Sequence, residues 1–191
     1  MDIIKLITSQ LNNQETLNQL GQSVGANPDQ VQKLTQMGMP MLLQALGQNA
    51  STQEGAAALS SALEQHQDDD VADINGFFKG VNTQDGAKIL QHILPGKTEK
   101  VQQNLARETG LDAGQVSGLM TQLAPLLLGA LGQQKKQQNL DVAGISGMLG
   151  GLLGQGGDKN MMGMVKNLLD ADNDGNIMDD VGKLLGGFLK K

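Results

Sequence analysis

Residues 20–48, LGQSVGANPDQVQKLTQMGMPMLLQALGQ, lie without a gap over residues 105–133, LARETGLDAGQVSGLMTQLAPLLLGALGQ. Twelve of the 29 paired positions are identical, among them Gly25/Gly110, Gln30/Gln115, Val31/Val116, Leu34/Leu119, Pro40/Pro125 and Leu42/Leu127. A repeat of this length is a duplicated supersecondary unit, and its spacing gives the type. In each copy an amphipathic helix is expected to end at Gly25 or Gly110, since glycine accepts the left-handed turn that closes a helix. Asn27 and Asp112 follow as N-caps for a second helix carrying Val31 and Leu34, or Val116 and Leu119. Pro40 and Pro125 are read as first-turn prolines opening a third, nearly all-apolar helix over 41–46 or 126–131, the buried centre of each unit.

Working outward, residues 56–64 read as a further helix, followed by the acidic Asp68, Asp69 and Asp70, then Phe77 and Phe78, then a short helix over 86–94. After the second copy, Val142, Ile145, Met148, Leu149, Leu152 and Leu153 keep helical spacing but are diluted by glycine, and residues 154–157 are the most linker-like point in the chain. The expected organisation is all-α: a duplicated bundle of short helices over 1–149, a glycine-rich linker at 150–158, and a helix-loop-helix at 159–191. Thirty-three residues are too few for an independent core, so the last unit is expected to lean on the larger one or on a metal.

Composition agrees with a helical body. The chain of 191 residues is 39% hydrophobic with three Phe, no Tyr and no Trp, so its core is built from aliphatic residues and ten Met. The absence of cysteine excludes disulfides, thiolate nucleophiles and sulfur-ligated zinc. A net charge of −6 argues against sequence-independent nucleic-acid binding, which depends on Lys and Arg neutralising phosphates. The acid at Asp2 and the lack of a basic amino-terminal region do not fit a secretory signal. No apolar run approaches the roughly 20 residues of a membrane helix, so a cytoplasmic location without membrane insertion is expected.

One motif points to specific chemistry. Asp170, Asp172 and Asp174 put carboxylates on alternate residues, Gly175 permits a sharp turn, Asn176 offers a backbone carbonyl and Ile177 is apolar. Oxygen donors at positions 1, 3, 5 and 7 of a loop suit calcium, and the run resembles an EF-hand or dockerin loop. It departs at position 12, where Val181 stands in place of the closing Glu, so Asp180 is expected to close a tighter, weaker site in preference to Asp179. Met161, Met162, Val165, Leu168 and Leu169 before it, and Val181, Leu184, Leu185 and Phe188 after it, supply helical flanks. A solvated Asx-rich turn is the competing explanation.

Residues 85–95, DGAKILQHILP, with 105–110, LARETG, 115–120, QVSGLM, and 123–131, LAPLLLGAL, resemble the bacterial YidB-like proteins grouped as domain of unknown function 937. The resemblance covers about residues 1–150. It implies an all-helical fold of short helices, loosely similar to a homeodomain, with no established activity and no catalytic residues; several such proteins carry an acidic loop matching Asp170, Asp172, Asp174 and Gly175. The homeodomain likeness raises DNA association as an alternative role, with the helices after Gly25 and Gly110 as recognition elements. Those helices carry one lysine and none in their first turns, while Lys97, Lys100, Arg107, Lys135 and Lys136 read as solvated faces.

His66, near Glu64, Asp68 and Asp70, needs no chemistry to explain it, and His92 in an apolar run is expected to be partly buried. Met37, Met39 and Met41 suit core filling, or an adaptable partner surface. The expected function is therefore non-enzymatic: a calcium-binding interaction or scaffolding module engaging a protein partner or itself.

Overall fold

In a computed structural model of the chain, which describes residue 7 and residues 9–155, all regular secondary structure among the described residues is α-helical. The helices are α1 (Gln14–Val24), α2 (Pro28–Asn49), α3 (Gln53–His66), α4 (Ile74–Gly80), α5 (Thr83–Ile93), α6 (Thr98–Thr109), α7 (Ala113–Gln138) and α8 (Val142–Gln155). The duplicated units are α1–α2 and α6–α7, with α3, α4 and α5 between them.

The capping residues act as expected. Gly25 and Gly110 adopt φ of 70° and 73°, and their N–H groups return to the carbonyls of Gly21 and Ala106. Only a residue free of Cβ strain takes that turn at little cost. Two residues later Asn27 and Asp112 open α2 and α7. The Asp112 carboxylate accepts from the Gln115 N–H at 2.8 Å while the Gln115 side-chain Oε1 accepts from the Asp112 N–H at 3.0 Å, a capping box.

The expected break at the prolines does not occur. Pro40 lies inside a 22-residue α2 and Pro125 inside a 26-residue α7, so each unit is one short helix and one long one. A mid-helix proline removes the bond to the carbonyl four residues earlier and costs on the order of 3 kcal/mol unless its surroundings offset it. For Pro125 that carbonyl belongs to Thr121, and Gly86 of α5 packs directly on it: a Cβ on Gly86 would sit 1.8 Å from the Thr121 oxygen. The proline thus stands where a second helix backbone comes closest. For Pro40 the carbonyl belongs to Gln36, an exposed residue.

The long helix α7 is the axis of the fold and packs against α1, α2, α3, α5 and α6. Residues 119–132 are buried without interruption and, Thr121 and Gln122 apart, carry no polar side chain, the pattern of a helix enclosed by others. Two glycines admit its neighbours: a Cβ on Gly132 would approach the Leu63 carbonyl at 2.5 Å, and one on Gly129 the Val71 side chain at 2.6 Å. Each leucine in this run contributes about 1.5 to 3 kcal/mol relative to an exposed one.

The two copies face each other reciprocally. Gln30 donates from Nε2 to the Gly110 carbonyl at 2.6 Å, and Gln115 donates from Nε2 to the Gly25 carbonyl at 2.7 Å. Equivalent residues thus exchange equivalent bonds, as across a two-fold axis. The identities at Gly25/Gly110 and Gln30/Gln115 acquire a tertiary reason, since each glutamine both closes its own helix start and caps the other copy's turn.

Helix α8 extends through Gln155, so the stretch read as linker at 150–158 begins as the end of a helix. Ile145 and Leu149 are buried, and Ser146 donates to the Ala50 carbonyl at 3.1 Å, fixing α8 to the end of α2. Residues 156–191, including the whole expected helix-loop-helix, lie outside the described residues. None of the helices among the described residues is long and apolar enough to cross a membrane.

Candidate functional site

The residues expected to form a calcium loop, Asp170, Asp172, Asp174, Asn176 and Asp180, lie outside the described residues, as do Met161, Met162 and Met164. Within the helical body the polar side chains converge at a different place, a cavity of about 430 Å³ above Pro125 between the end of α3 and the start of α5.

Local chemistry builds this cavity from three helix ends. His66 is the last residue of α3, where a carboxyl-terminal dipole suits a cationic side chain. The connection after it folds back, with the Asp69 N–H donating to the His66 carbonyl at 3.2 Å. Val71, fully buried against Gly129, pins that connection, and Gln133 holds the Asp69 carbonyl at 2.6 Å. Asp73 caps α4 by accepting from the Gly76 N–H at 3.0 Å, and Asn82 caps α5 through the N–H groups of Gln84 and Asp85. Asp85 therefore sits in the first turn of α5, held over α7 by the Gly86 contact.

The result is an imidazole with a carboxylate at each nitrogen. Nδ1 of His66 lies 2.8 Å from an Asp69 carboxylate oxygen, and Nε2 lies 3.4 Å from an Asp85 oxygen. The ring is 15% exposed, so its orientation is fixed from both sides. Asp70 and Asp73 stand at the rim as exposed residues. Acceptors exceed donors here, and the arrangement favours cationic groups. The sequence gives His66 no visible role because its second partner, Asp85, is 19 positions away and reaches it only through the α5–α7 crossing. The local signal was the short spacing between His66 and Asp69, compatible with a helix end folding back.

A second cavity of about 450 Å³ continues from the first between α3 and α5 and shares Gln65, His66 and Asp85 with it. Its lining includes the apolar Leu59, Ala62, Ile89 and Ile93. His92 lines this groove as an exposed residue rather than a partly buried one, because Leu90 and Ile93 occupy the inward stripe of α5.

Other expected positions resolve as follows. Met41 is fully buried and Met37 and Met39 pack against the core, so these methionines fill space. Lys135 is buried rather than solvated: its ammonium meets Glu64 at 2.6 Å across the α3–α7 contact, and neighbouring Lys136 pairs with Asp68 at 2.5 Å. The helix after Gly110, raised as a DNA-recognition element, starts with exposed Ala113 and Gly114 and is enclosed from 119 to 132.

The class these features define is an all-α bundle built on a duplicated helix pair, with polar residues spent on caps and inter-repeat bonds. The chain belongs to the family described as bacterial protein of unknown function (DUF937), whose model matches residues 5–134. That span takes in both repeats and the helices between them, and ends inside α7. No curated protein and no solved structure matches the chain.

Proposed function

We propose that this protein is a non-enzymatic interaction or scaffolding module that binds calcium through its carboxyl-terminal loop. The observation that carries the metal assignment is the alternation of Asp170, Asp172 and Asp174 followed by Gly175, a set of hard oxygen donors with the turn residue in the right place. Asn176 would add a backbone carbonyl, and Asp180 would close the site. The non-enzymatic reading is supported by how the polar groups of the body are used. His66 is held between Asp69 and Asp85, Asp73 and Asn82 cap helices, and Gln30 and Gln115 join the repeats. A protein partner, or a second copy of the chain, is the class of ligand such a module engages.

Calorimetric titration of calcium into the full chain is the test. Saturable heat is expected with an affinity on the order of micromolar to millimolar, because the closing Glu is replaced. Asp172→Ala should abolish it. A wild-type titration indistinguishable from dilution would remove the metal assignment.

A further inference from the structure

The two cavities on either side of His66 form one continuous trough of mixed character. One end is acidic, with Asp69, Asp70 and Asp73; the other is apolar, with Leu59, Ile89 and Ile93. We propose that this trough is the docking site for the chain's own carboxyl-terminal segment, residues 181–191, VGKLLGGFLKK.

Three observations select this occupant. The first is charge: the segment carries Lys183, Lys190 and Lys191 and no acidic side chain, whereas the trough presents an excess of carboxylates. Its basic groups are therefore complementary to this acidic recess, while the acidic residues 170–180 just before it are not. The second is pattern: Val181, Leu184, Leu185 and Phe188 fall at i, i+3, i+4 and i+7, a single apolar stripe that matches a groove with one apolar wall. Lys88 and His92 stand at the apolar end, so the terminal lysines are directed toward the acidic end.

The third is reach. Helix α8 ends at Gln155 after packing on α2 and α3, which also line the groove, and Leu153 lies against Gly47, next to the groove residue Leu46. The 25 residues from 156 to 180 span up to about 80 Å when extended, roughly twice the 39 Å or so of the 26-residue α7. The tether is never limiting, and a segment held on its own chain is presented at an effective concentration on the order of millimolar. The proposal does not depend on calcium.

Because the chain has no cysteine, disulfide trapping has no background. Ala58 is an exposed groove residue, suited to carry one thiol. The full chain carrying Ala58→Cys and Phe188→Cys, oxidised mildly with a chelator present, should form an intramolecular disulfide. A comparison pair, Glu108→Cys with Phe188→Cys, places the first thiol two residues before Gly110, beside Gln30. Leu46 lies sixteen positions along α2 from Gln30, or about 24 Å. The groove pair should close at least about ten times faster than this pair, since docking raises the local concentration of one thiol at the other. Adding Lys190→Glu and Lys191→Glu should slow the groove pair several-fold. Equal rates for the two pairs, or cross-links chiefly between chains, would overturn the proposal. The second outcome would assign the trough to another copy. Calcium titration reads the loop separately, so failure of either idea is distinguishable.

Discussion

Residues 34–47 of α2 and 119–132 of α7 descend from one repeat and share Leu, Pro, Leu-Leu and Ala-Leu-Gly at matched positions. In α7 every residue of that stretch is buried; in α2 Gln36 is exposed and Met37, Met39, Pro40, Leu43, Gln44 and Gly47 are only partly covered. The same helical grammar therefore yields a central axis in one place and a peripheral helix in the other. The difference lies in what surrounds each copy. Helices α3 and α5 lie most extensively on α7, whereas α2 spreads its contacts over α1, α8 and the second copy, with α3 and α5 touching it less. Position 44/129 marks the divergence. Gln44 in α2 corresponds to Gly129 in α7, and it is there that Val71 and the α3–α4 connection come against the axis.

Truncating matched leucines should expose the asymmetry most strongly. Leu128 is 2% exposed and Leu43 is partly covered. Leu128→Ala should cost about 3 to 4 kcal/mol in denaturant unfolding, and Leu43→Ala about 1 to 2 kcal/mol. Equal losses would mean that the two helices share the core evenly.

Exchanging the residues that mark the divergence comes next. Gly129→Gln drives a side chain into Val71 and should cost up to about 3 kcal/mol. Gln44→Gly removes a partly covered side chain from a helix and should cost about 1 kcal/mol, chiefly through lost helix propensity. Thermal melts of the two single variants and the double variant would check both values. A well-tolerated Gly129→Gln would contradict the close packing of the α3–α4 connection on the axis.

The smallest effect is the one that should be symmetric. Gln30→Ala and Gln115→Ala each remove a hydrogen bond to the other copy's turn and a capping interaction, at about 1 kcal/mol apiece. Their costs should agree closely although the helices they start differ in burial. Unequal costs would show that the reciprocal geometry does not carry over to the energetics.

Much of this was legible in the residues. The duplication, the turns at Gly25 and Gly110, the helix starts at Asn27 and Asp112 and the all-helical class follow from rules that act over a few positions. What was not legible depended on distant contacts. Proline normally opens a helix, so Pro40 and Pro125 read as boundaries until the enclosure of α7 and the approach of Gly86 to Thr121 are known. Lys135 reads as solvated until Glu64 arrives from α3. His66 reads as a surface residue until α5 delivers Asp85. Nothing within either repeat says which copy will be central; the substitution of Gly129 for Gln44 was the one local hint. Asp170, Asp172 and Asp174, read as a calcium loop from their spacing, lie outside the described residues.

Amide hydrogen exchange, resolved by residue, separates an axial copy of the repeat from a flanking one. Amides of 119–132 in α7, apart from Pro125, should exchange only through global unfolding and form the slowest set in the protein, while their counterparts at 34–47 in α2 exchange faster through local opening. Equal protection of the two stretches, or slower exchange in α2, would contradict an account in which one copy of the repeat is the axis and the other its flank.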